Sequence, residues 1–406
     1  MKIITQKGQS LQKLYNRSLF TRRAHIEEKV KRIIEDIKLN GDDAVLRYTR
    51  KFDKVKMLPK QIRVPEAEIS GAFQNITSDF IGSLKLIINN VSTFYRKQVK
   101  KPCRVKDANG VLMKERTEAL DAVGIYIPAG TAPLVSTVYM TAIPARVAGV
   151  KRIVIATPPD KQGHINPYIL AVASLLNVSE IYKIGGAQAI AALALGTKTI
   201  PRVDKIVGPG NMYVTEAKRQ LFGYVDIDML AGPTELVIIA NRTSNPEFVV
   251  ADLEAQAEHL GGLVILITPS KQLIKQVRKR LNKGYIIPVK NMDEAIEITN
   301  KIAPEHLQIL TNAPKSIANR IKNAAAIFLG PYSPAAVGDY VAGPSHVLPT
   351  LGTARFFSGL CLSDFTKTHH LISYSKKALE SIREPLDKVA TIEGLLKHSQ
   401  SVKIRF

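Results

Sequence analysis

Apolar residues recur at helical spacing near the start of the chain. Within residues 24–38, Val30, Ile33, Ile34 and Ile37 fall on one face, which predicts an amphipathic helix. Gly41 and the two aspartates after it predict that this helix stops and another begins. The first 120 residues are therefore predicted to be mainly helical.

From about residue 122 the pattern changes to short β-branched runs that alternate with alanine-rich segments. This alternation is typical of βαβ units on a mostly parallel sheet. We predict a first series of strands and then a second, at residues 124–128, 152–156, 180–184 and 204–207, and at 235–240 and 262–267. After Leu362 the sequence is polar and helical without a strong strand, which predicts an arm that packs on its own body or on a partner subunit.

The two strand series predict an α/β fold with two parallel-sheet domains, each an incomplete Rossmann-like unit. The first domain would combine residues 1–121 and 236–362, with a helical N-terminal region. The second would take residues 122–235, and residues 363–406 would form a C-terminal helical arm.

Composition supports a soluble globular protein. The 406 residues are 45% hydrophobic and 23% charged, and no segment approaches the length needed to span a bilayer. The first residues have no apolar stretch after the basic residue, so we do not expect the protein to be exported. Cys103 and Cys361 are too far apart in sequence to suggest a zinc knuckle or a disulfide framework. We therefore expect a cytoplasmic protein with two ordinary packing thiols.

The chain is basic, with 57 Lys and Arg against 35 Asp and Glu and a formal charge of +22. The basic residues are spread along the sequence, and the densest run, residues 96–106, has no array of aromatics for stacking. We therefore do not expect a nucleic-acid partner. A basic surface that attracts anionic cofactors is the preferred interpretation.

Residues 244–262 carry the start and stop signals of a helix. Asn245 can cap it, Pro246 suits its first turn and Gly261 can end it. Gln256 and His259 are three residues apart near its carbonyl end, where a cation is favoured. A shared metal ion is one interpretation of this spacing. A polar helix flank is the other.

Two further segments carry candidate chemistry. Glu305 and His306 follow a proline and could provide two proton-transfer groups of different basicity, although the same residues fit a helix start. Asp339 and His346 lie in a glycine- and proline-rich segment that predicts a sharply turned loop, in which the aspartate could also bond its own backbone.

Cofactor signals are weaker. Residues 184–189 and 207–211 are glycine-containing turns that each follow a strand and open a helix, as phosphate-binding turns do. Neither matches the full dinucleotide fingerprint. From their motifs alone they are ordinary βα turns.

Seven longer stretches belong together. They are GIYIPAG (124–130), GGAQAIAALA (185–194), GPGNMYVTEAK (208–218), AGPTE (231–235), AQAEH (255–259), PEHL (304–307) and GDYVAGPSHVLPT (338–350). In this order, and over essentially the whole chain, the sequence closely resembles the histidinol dehydrogenase family.

The resemblance implies a zinc site and a set of substrate contacts. The implied metal ligands are Gln256, His259, Asp339 and His398. Such nitrogen and oxygen ligands suit Zn²⁺ and would also accept Mn²⁺ or Co²⁺. Glu305 and His306 would be catalytic, with His306 as the base and Glu305 activating water. The implied substrate contacts are Thr234, Gln256, His259, His306, Asp339, His346, Glu393 and His398.

The implied reaction is the oxidation of L-histidinol to L-histidine through histidinal, with two NAD⁺ and one water. Tyr126, Gln188 and Asn211 match the positions at which the family holds NAD. The family also implies a homodimer in which the C-terminal arm, with Glu393 and His398, completes the partner's site.

The sequence departs from the family pattern at two places. Thr234 stands where serine is usual, and the segment between His259 and Glu305 is shorter than in many members, which we interpret as a trimmed peripheral helix and loop. One alternative function is oxidation of another polar alcohol, such as a sulfonated diol, which Glu393 would repel. A metal-dependent hydrolase and a basic binding protein without catalysis are the others.

Overall fold

The structure is a computed structural model that describes residues 1–4, 9–17, 24–99, 101–129, 133–259 and 261–406, without the side chain of Asn75. The chain falls into two units. The first contains Met1–Gln98 and Leu120–Phe365, and the second contains Val99–Ala119 and Thr366–Phe406. Both parallel sheets fall in the first unit, so the boundary between the two predicted α/β domains stays a prediction.

The strands are numbered in chain order. They are β1 (Lys2–Ile3), β2 (Arg104–Lys106), β3 (Val111–Ala119), β4 (Ala122–Tyr126), β5 (Arg152–Thr157), β6 (Glu180–Lys183), β7 (Lys205–Val207), β8 (Asp226–Ile227), β9 (Glu235–Ala240), β10 (Leu263–Thr268), β11 (Tyr285–Pro288), β12 (His306–Leu310), β13 (Ala326–Leu329) and β14 (Thr366–Tyr374).

The helices are numbered in the same way. They are α1 (Gln9–Tyr15), α2 (Ala24–Phe52), α3 (Glu66–Gly71), α4 (Ser78–Lys97), α5 (Val135–Ala148), α6 (Pro167–Leu175), α7 (Gly186–Leu195), α8 (Met212–Leu221), α9 (Pro246–Ala257), α10 (Lys271–Arg280), α11 (Met292–Ile302), α12 (Pro314–Ala318), α13 (Ala335–Tyr340), α14 (Lys376–Ser381), α15 (Arg383–Ile392) and α16 (Leu396–Lys403). Short 3₁₀ turns occur at Pro59–Gln61, Ala72–Asn75, Thr353–Arg355 and Leu362–Phe365.

A six-stranded sheet runs in the order β1-β11-β10-β9-β12-β13, and its strands are parallel. The central strand β9 is buried on both faces, as parallel sheets covered by helices require. Val237 and Ile239 contribute to the apolar core on one face, and Leu236 and Ile238 contribute to the core on the other.

A five-stranded parallel sheet has the order β6-β5-β4-β7-β8. Helices α2, α7 and α8 pack together and share one apolar core with this sheet. Helix α2 is bent at Gly41, whose φ of 49° is outside the helical range, so the predicted break between two helical segments is confirmed.

The second unit consists of an antiparallel sheet, β14-β3-β2, and helices α14 to α16. The prediction of an arm without a strand is wrong in this respect, because β14 pairs with β3 along its whole length. Eight of its nine residues are exposed, so the strand has no buried face whose alternation could have revealed it.

The predicted α/β class and the strands proposed from sequence are confirmed to within two residues. Two local predictions are wrong. Helix α9 ends at Ala257, so His259 lies in the turn after it. Asp339 lies in helix α13 and not in a loop, because Pro334 and two alanines begin a short helix there.

None of the helices in the described ranges combines the length and apolar character needed to cross a membrane.

Candidate active site

The adjacent residues Glu305 and His306 lie at the amino end of β12, which is paired with β9 on one side and β13 on the other. Both are buried, with 6% and 4% of their surface exposed. His306 is in register with Leu236, and this pairing sets both side chains beside the amino end of β9. The pair therefore begins a strand, and the alternative interpretation as a helix start is wrong.

The carboxylate of Glu305 is fixed by two donors. Its Oε2 accepts a 2.6 Å hydrogen bond from the Thr234 hydroxyl and a 2.7 Å bond from the backbone N–H of Glu235. The Thr234 oxygen in turn accepts a 3.1 Å bond from Nε2 of Gln256. One hydroxyl thus connects a predicted metal ligand to a predicted catalytic carboxylate.

The imidazole of His306 is held at both nitrogens. Its Nδ1 donates to the backbone carbonyl of Glu235 at 3.1 Å and lies 3.5 Å from Oε2 of Glu305. Its Nε2 lies 3.5 Å from Oδ1 of Asp339. Burial lowers the pKa of His306, but the two carboxylates outweigh burial and raise that pKa to about 10.

Gly338, next to Asp339, packs against the ring of Phe328, where a Cβ atom would lie 2.6 Å from the ring. Phe328 itself stacks on His306 with 5.9 Å between ring centroids. Burial raises the pKa of Asp339, but the neighbouring histidines 306, 346 and 259 together lower it below its usual value. The carboxylate is therefore ionised at neutral pH.

His346 belongs to the same cluster. Its Nδ1 donates to the backbone oxygen of Asp339 at 2.9 Å, and its Nε2 lies 3.3 Å from the Thr137 hydroxyl. Burial lowers the pKa of His346 below its usual value, so the ring is neutral and accepts the threonine hydrogen bond.

Gln256 and His259 reach this cluster through the geometry of a βα crossover. Because α9 runs antiparallel to β9, the carboxyl end of α9 lies at the same end of the sheet as the first residues of β9 and β12. Gln256 is buried there, whereas His259 is exposed and close enough to Asp339 to help lower its pKa. Asn245 caps the helix through a 3.0 Å bond from Glu247 N, as predicted.

The side chains of Gln256, His259 and Asp339 have oxygen and nitrogen donors that fit a hard or borderline metal ion. In the described part of the chain, no three His, Cys, Asp or Glu side chains converge as a complete site. The first unit contributes only two donors of those types to the predicted set, His259 and Asp339, together with the amide of Gln256. That amide uses its nitrogen on Thr234, so its oxygen is not committed to that bond. An amide oxygen, a carboxylate and an imidazole suit Zn²⁺.

The predicted cofactor residues lie at the carboxyl ends of strands in the five-stranded sheet, where parallel sheets commonly bind nucleotides. The Tyr126 hydroxyl accepts a 3.0 Å bond from Gly186 N at the start of α7, and burial raises the pKa of Tyr126 to about 12. Asn211 caps α8 through its side-chain oxygen, so its amide nitrogen stays outside the cap.

Gln188 is the strongest indication of a ligand. It is 1% exposed, yet neither its amide oxygen nor its amide nitrogen has a partner among the described residues. The hydroxyl of Thr157, at the end of β5, is also buried without a partner in those ranges. Gln188 lies in the first turn of α7, where an unpaired buried polar group fits a polar, anionic ligand such as a dinucleotide.

Glu393 and His398, which complete the predicted substrate and metal sets, belong to the second unit. Glu393 follows α15 and His398 lies in α16, and both are exposed. Their predicted roles stay predictions.

Sequence reasoning missed the residues that support the predicted catalytic pair, Glu305 and His306. Arg17 forms a two-pronged ion pair with Glu235, with Nε–Oε1 and Nη2–Oε2 distances of 2.9 Å. The Glu235 side chain is 1% exposed, and its backbone groups bind both Glu305 and His306. A glutamate at the start of an otherwise apolar strand was the available signal, but its partner lies more than 200 residues away.

Comparisons with known proteins identify a family that matches nearly the whole chain. A family model described as histidinol dehydrogenase matches residues 17–406. A histidinol dehydrogenase of Clostridium acetobutylicum is 48% identical over 94% of this chain and 93% of its own length. One from Listeria monocytogenes is 45% identical over the same shares. A crystal structure of the enzyme from Elizabethkingia anophelis superposes with a TM-score of 0.94 at 37% identity, covering 100% of this chain and 98% of that one.

Proposed function

This chain belongs to the histidinol dehydrogenase family and is an oxidoreductase of histidine biosynthesis, and from its site we propose the complete reaction. The proposed reaction is the four-electron oxidation of L-histidinol to L-histidine through histidinal, with reduction of two NAD⁺ and consumption of one water. The observation that carries it is the adjacent pair of Glu305 and His306, whose different surroundings suit them to different proton transfers.

His306 is the proposed proton acceptor during alcohol oxidation. Its Nδ1–H is occupied by the carbonyl of Glu235, so Nε2 is the nitrogen that faces Asp339 and can exchange a proton with substrate. While Glu305 and Asp339 are both negatively charged and no cation is bound, the pKa of His306, about 10, would keep the ring protonated. A cation bound by Asp339 would remove one of those charges and lower the pKa of His306 toward that of a useful base.

Glu305 is the proposed base for hydration of the aldehyde. The bonds from Thr234 and Glu235 N orient its carboxylate. In the proposed step Glu305 removes a proton from water as the water oxygen bonds to the aldehyde carbon. The hydrate anion formed in this step would then lose hydride to the second NAD⁺, which yields the carboxylic acid. Burial keeps other nucleophiles away from the reactive aldehyde.

The proposed metal is one Zn²⁺ per subunit, held by Gln256, His259 and Asp339 with His398 of the partner subunit. Bound zinc would orient the amino alcohol and polarise its reacting C–O group. The proposed cofactor contacts are Tyr126, Gln188 and Asn211, and NAD would supply the hydride acceptor. The unpaired amide of Gln188 supports this assignment.

The proposed assembly is a homodimer in which the arm of each subunit completes the other site. In addition to His398, Glu393 of the partner subunit would contact the cationic substrate. Large apolar side chains of the second unit support an interface, since Ile372, Ile392 and Ile404 are 68%, 85% and 79% exposed in the chain. We also propose that the enzyme acts in the cytoplasm and binds no nucleic acid.

A substrate comparison tests this function. The zinc-loaded protein is given NAD⁺ with either L-histidinol or an anionic sulfonated diol, and absorbance of NADH is followed, with His306→Asn as the control. We expect NADH only from L-histidinol and its loss in the variant. NADH formed from the diol alone would mean that the substrate is another alcohol. Ester cleavage without NADH formation would favour a hydrolase.

A further inference from the structure

A buried ion pair lies beneath the turn that contains Asn211. Nζ of Lys218, on α8, donates to Oδ1 of Asp228 at 2.7 Å and to the backbone oxygen of Gly208 at 2.5 Å. The two side chains are 4% and 1% exposed. Neither residue is required for the proton transfers proposed above.

Lys218 and Asp228 together bind the backbone N–H and C=O of Gly208. Oδ2 of Asp228 accepts a 2.7 Å bond from the N–H of Gly208, whose carbonyl is held by Lys218. Gly208 has a φ of 111°, and a Cβ atom there would lie 2.2 Å from the backbone oxygen of Tyr126. Gly208 therefore holds a glycine-specific conformation, in close contact with the strand that carries a proposed cofactor residue.

The pair also connects two functional segments. Lys218 belongs to α8, which Asn211 caps, and Asp228 precedes the segment that leads to Thr234. Helix α8 holds that segment a second time, because the Thr215 hydroxyl donates to the backbone oxygen of Ala231 at 2.9 Å. The turn at 208–211 and the residues before Thr234 are thus anchored to one helix.

Stability alone does not explain such a pair. Desolvating two charges offsets much of their attraction, and a well-packed apolar pair is often as stable. An apolar pair could not bind the N–H and C=O of Gly208, so the charges serve the geometry of the turn.

We propose that Lys218 and Asp228 are positioning residues that fix the cofactor-binding turn at 208–211 relative to the catalytic segment before Thr234. This inference rests on the proposed use of NAD. Loss of the pair would let the turn move, so NAD would bind more weakly while the substrate pocket keeps its contacts.

The test is calorimetric titration of the zinc-loaded enzyme with NAD⁺ and, separately, with L-histidinol. The main variant is Lys218→Met/Asp228→Asn, which removes both charges and so leaves no buried charge unpaired. Lys218→Arg keeps a cation near Asp228 and serves as the conservative variant. The matched control is Lys205→Met, which breaks the 2.9 Å pair with Asp226 at the other end of strand β7.

We expect the double variant to bind NAD⁺ about tenfold more weakly, with L-histidinol affinity within about twofold of wild type. Lys218→Arg should recover most of the NAD⁺ affinity, and Lys205→Met should keep it even if the melting temperature falls. Unchanged NAD⁺ affinity in the double variant, or an equal loss in Lys205→Met, would overturn the inference and leave the proposed function intact. Wild-type enzyme that binds no NAD⁺ would overturn both.

Discussion

The hydroxyl of Thr234 donates a 2.6 Å hydrogen bond to the carboxylate of Glu305 and accepts one from Gln256. Threonine at this position therefore does more than serve as a possible substrate contact. Its hydroxyl links the end of α9 to the start of β12, and its methyl group is compatible with both bonds.

Replacing this hydroxyl tests its role. Thr234→Val keeps the shape but leaves Glu305 with only the backbone donor, so we expect kcat/KM for L-histidinol to fall about tenfold to a hundredfold. Thr234→Ser keeps the hydroxyl and should stay within about threefold of wild type. Steady-state kinetics of both variants checks this, and equal activity of the valine and serine variants would argue against the hydrogen-bonded link.

The two half-reactions should separate at Glu305. Glu305→Gln keeps the shape but removes the proposed base, so oxidation of histidinal should slow by about a hundredfold or more while oxidation of L-histidinol to the aldehyde continues. Stopped-flow measurements with each substrate distinguish the two steps. An equal loss in both would contradict the proposed division of labour between Glu305 and His306.

Asp53 makes stability depend on pH. Burial raises the pKa of Asp53 to about 6, and its Oδ2 has no partner among the described residues. A carboxyl whose pKa is higher in the folded than in the unfolded protein, about 3.9, destabilises the fold as pH rises through about 4 to 6. The full shift corresponds to about 3 kcal/mol, which partial exposure reduces to about 1 kcal/mol.

Asp53→Asn should therefore be more stable than wild type at pH 7.5 and lose that advantage near pH 4. Thermal unfolding at both pH values measures the difference, with the exposed Asp43→Asn as a control. An advantage that is the same at both values would mean that ionisation of Asp53 is not its source.

The Arg17–Glu235 pair should matter far more for stability than exposed ion pairs do. Arg17→Met leaves a buried carboxylate uncompensated, so we expect the free energy of unfolding to fall by about 3–5 kcal/mol. Arg32→Met breaks a pair with Glu28 whose side chains are 73% and 55% exposed, and it should cost less than about 1 kcal/mol. Denaturant unfolding of both variants compares them, and similar losses would refute the special role of Arg17.

Local patterns predicted much of this architecture. Apolar runs of β4, β5, β9 and β10 identified buried strands, and Asn245 identified the start of α9, because these signals depend on neighbouring residues. The strand β14 was missed because its side chains are exposed on both faces.

Long-range partners could not be predicted in the same way. Arg17 and Glu235 are brought together by tertiary packing, and nothing in either segment specifies the other. The identities of the candidate site residues came from the resemblance to a family. Their mutual geometry, such as Thr234 against Glu305, required the structure.

The most direct test of the proposed reaction is the amount of NADH formed per L-histidinol consumed by the zinc-loaded enzyme, beside a chelator-treated sample. We predict two NADH per substrate, lost on chelation and restored by zinc. One NADH per substrate would mean that oxidation stops at the aldehyde, and no NADH would contradict the assignment of L-histidinol as substrate.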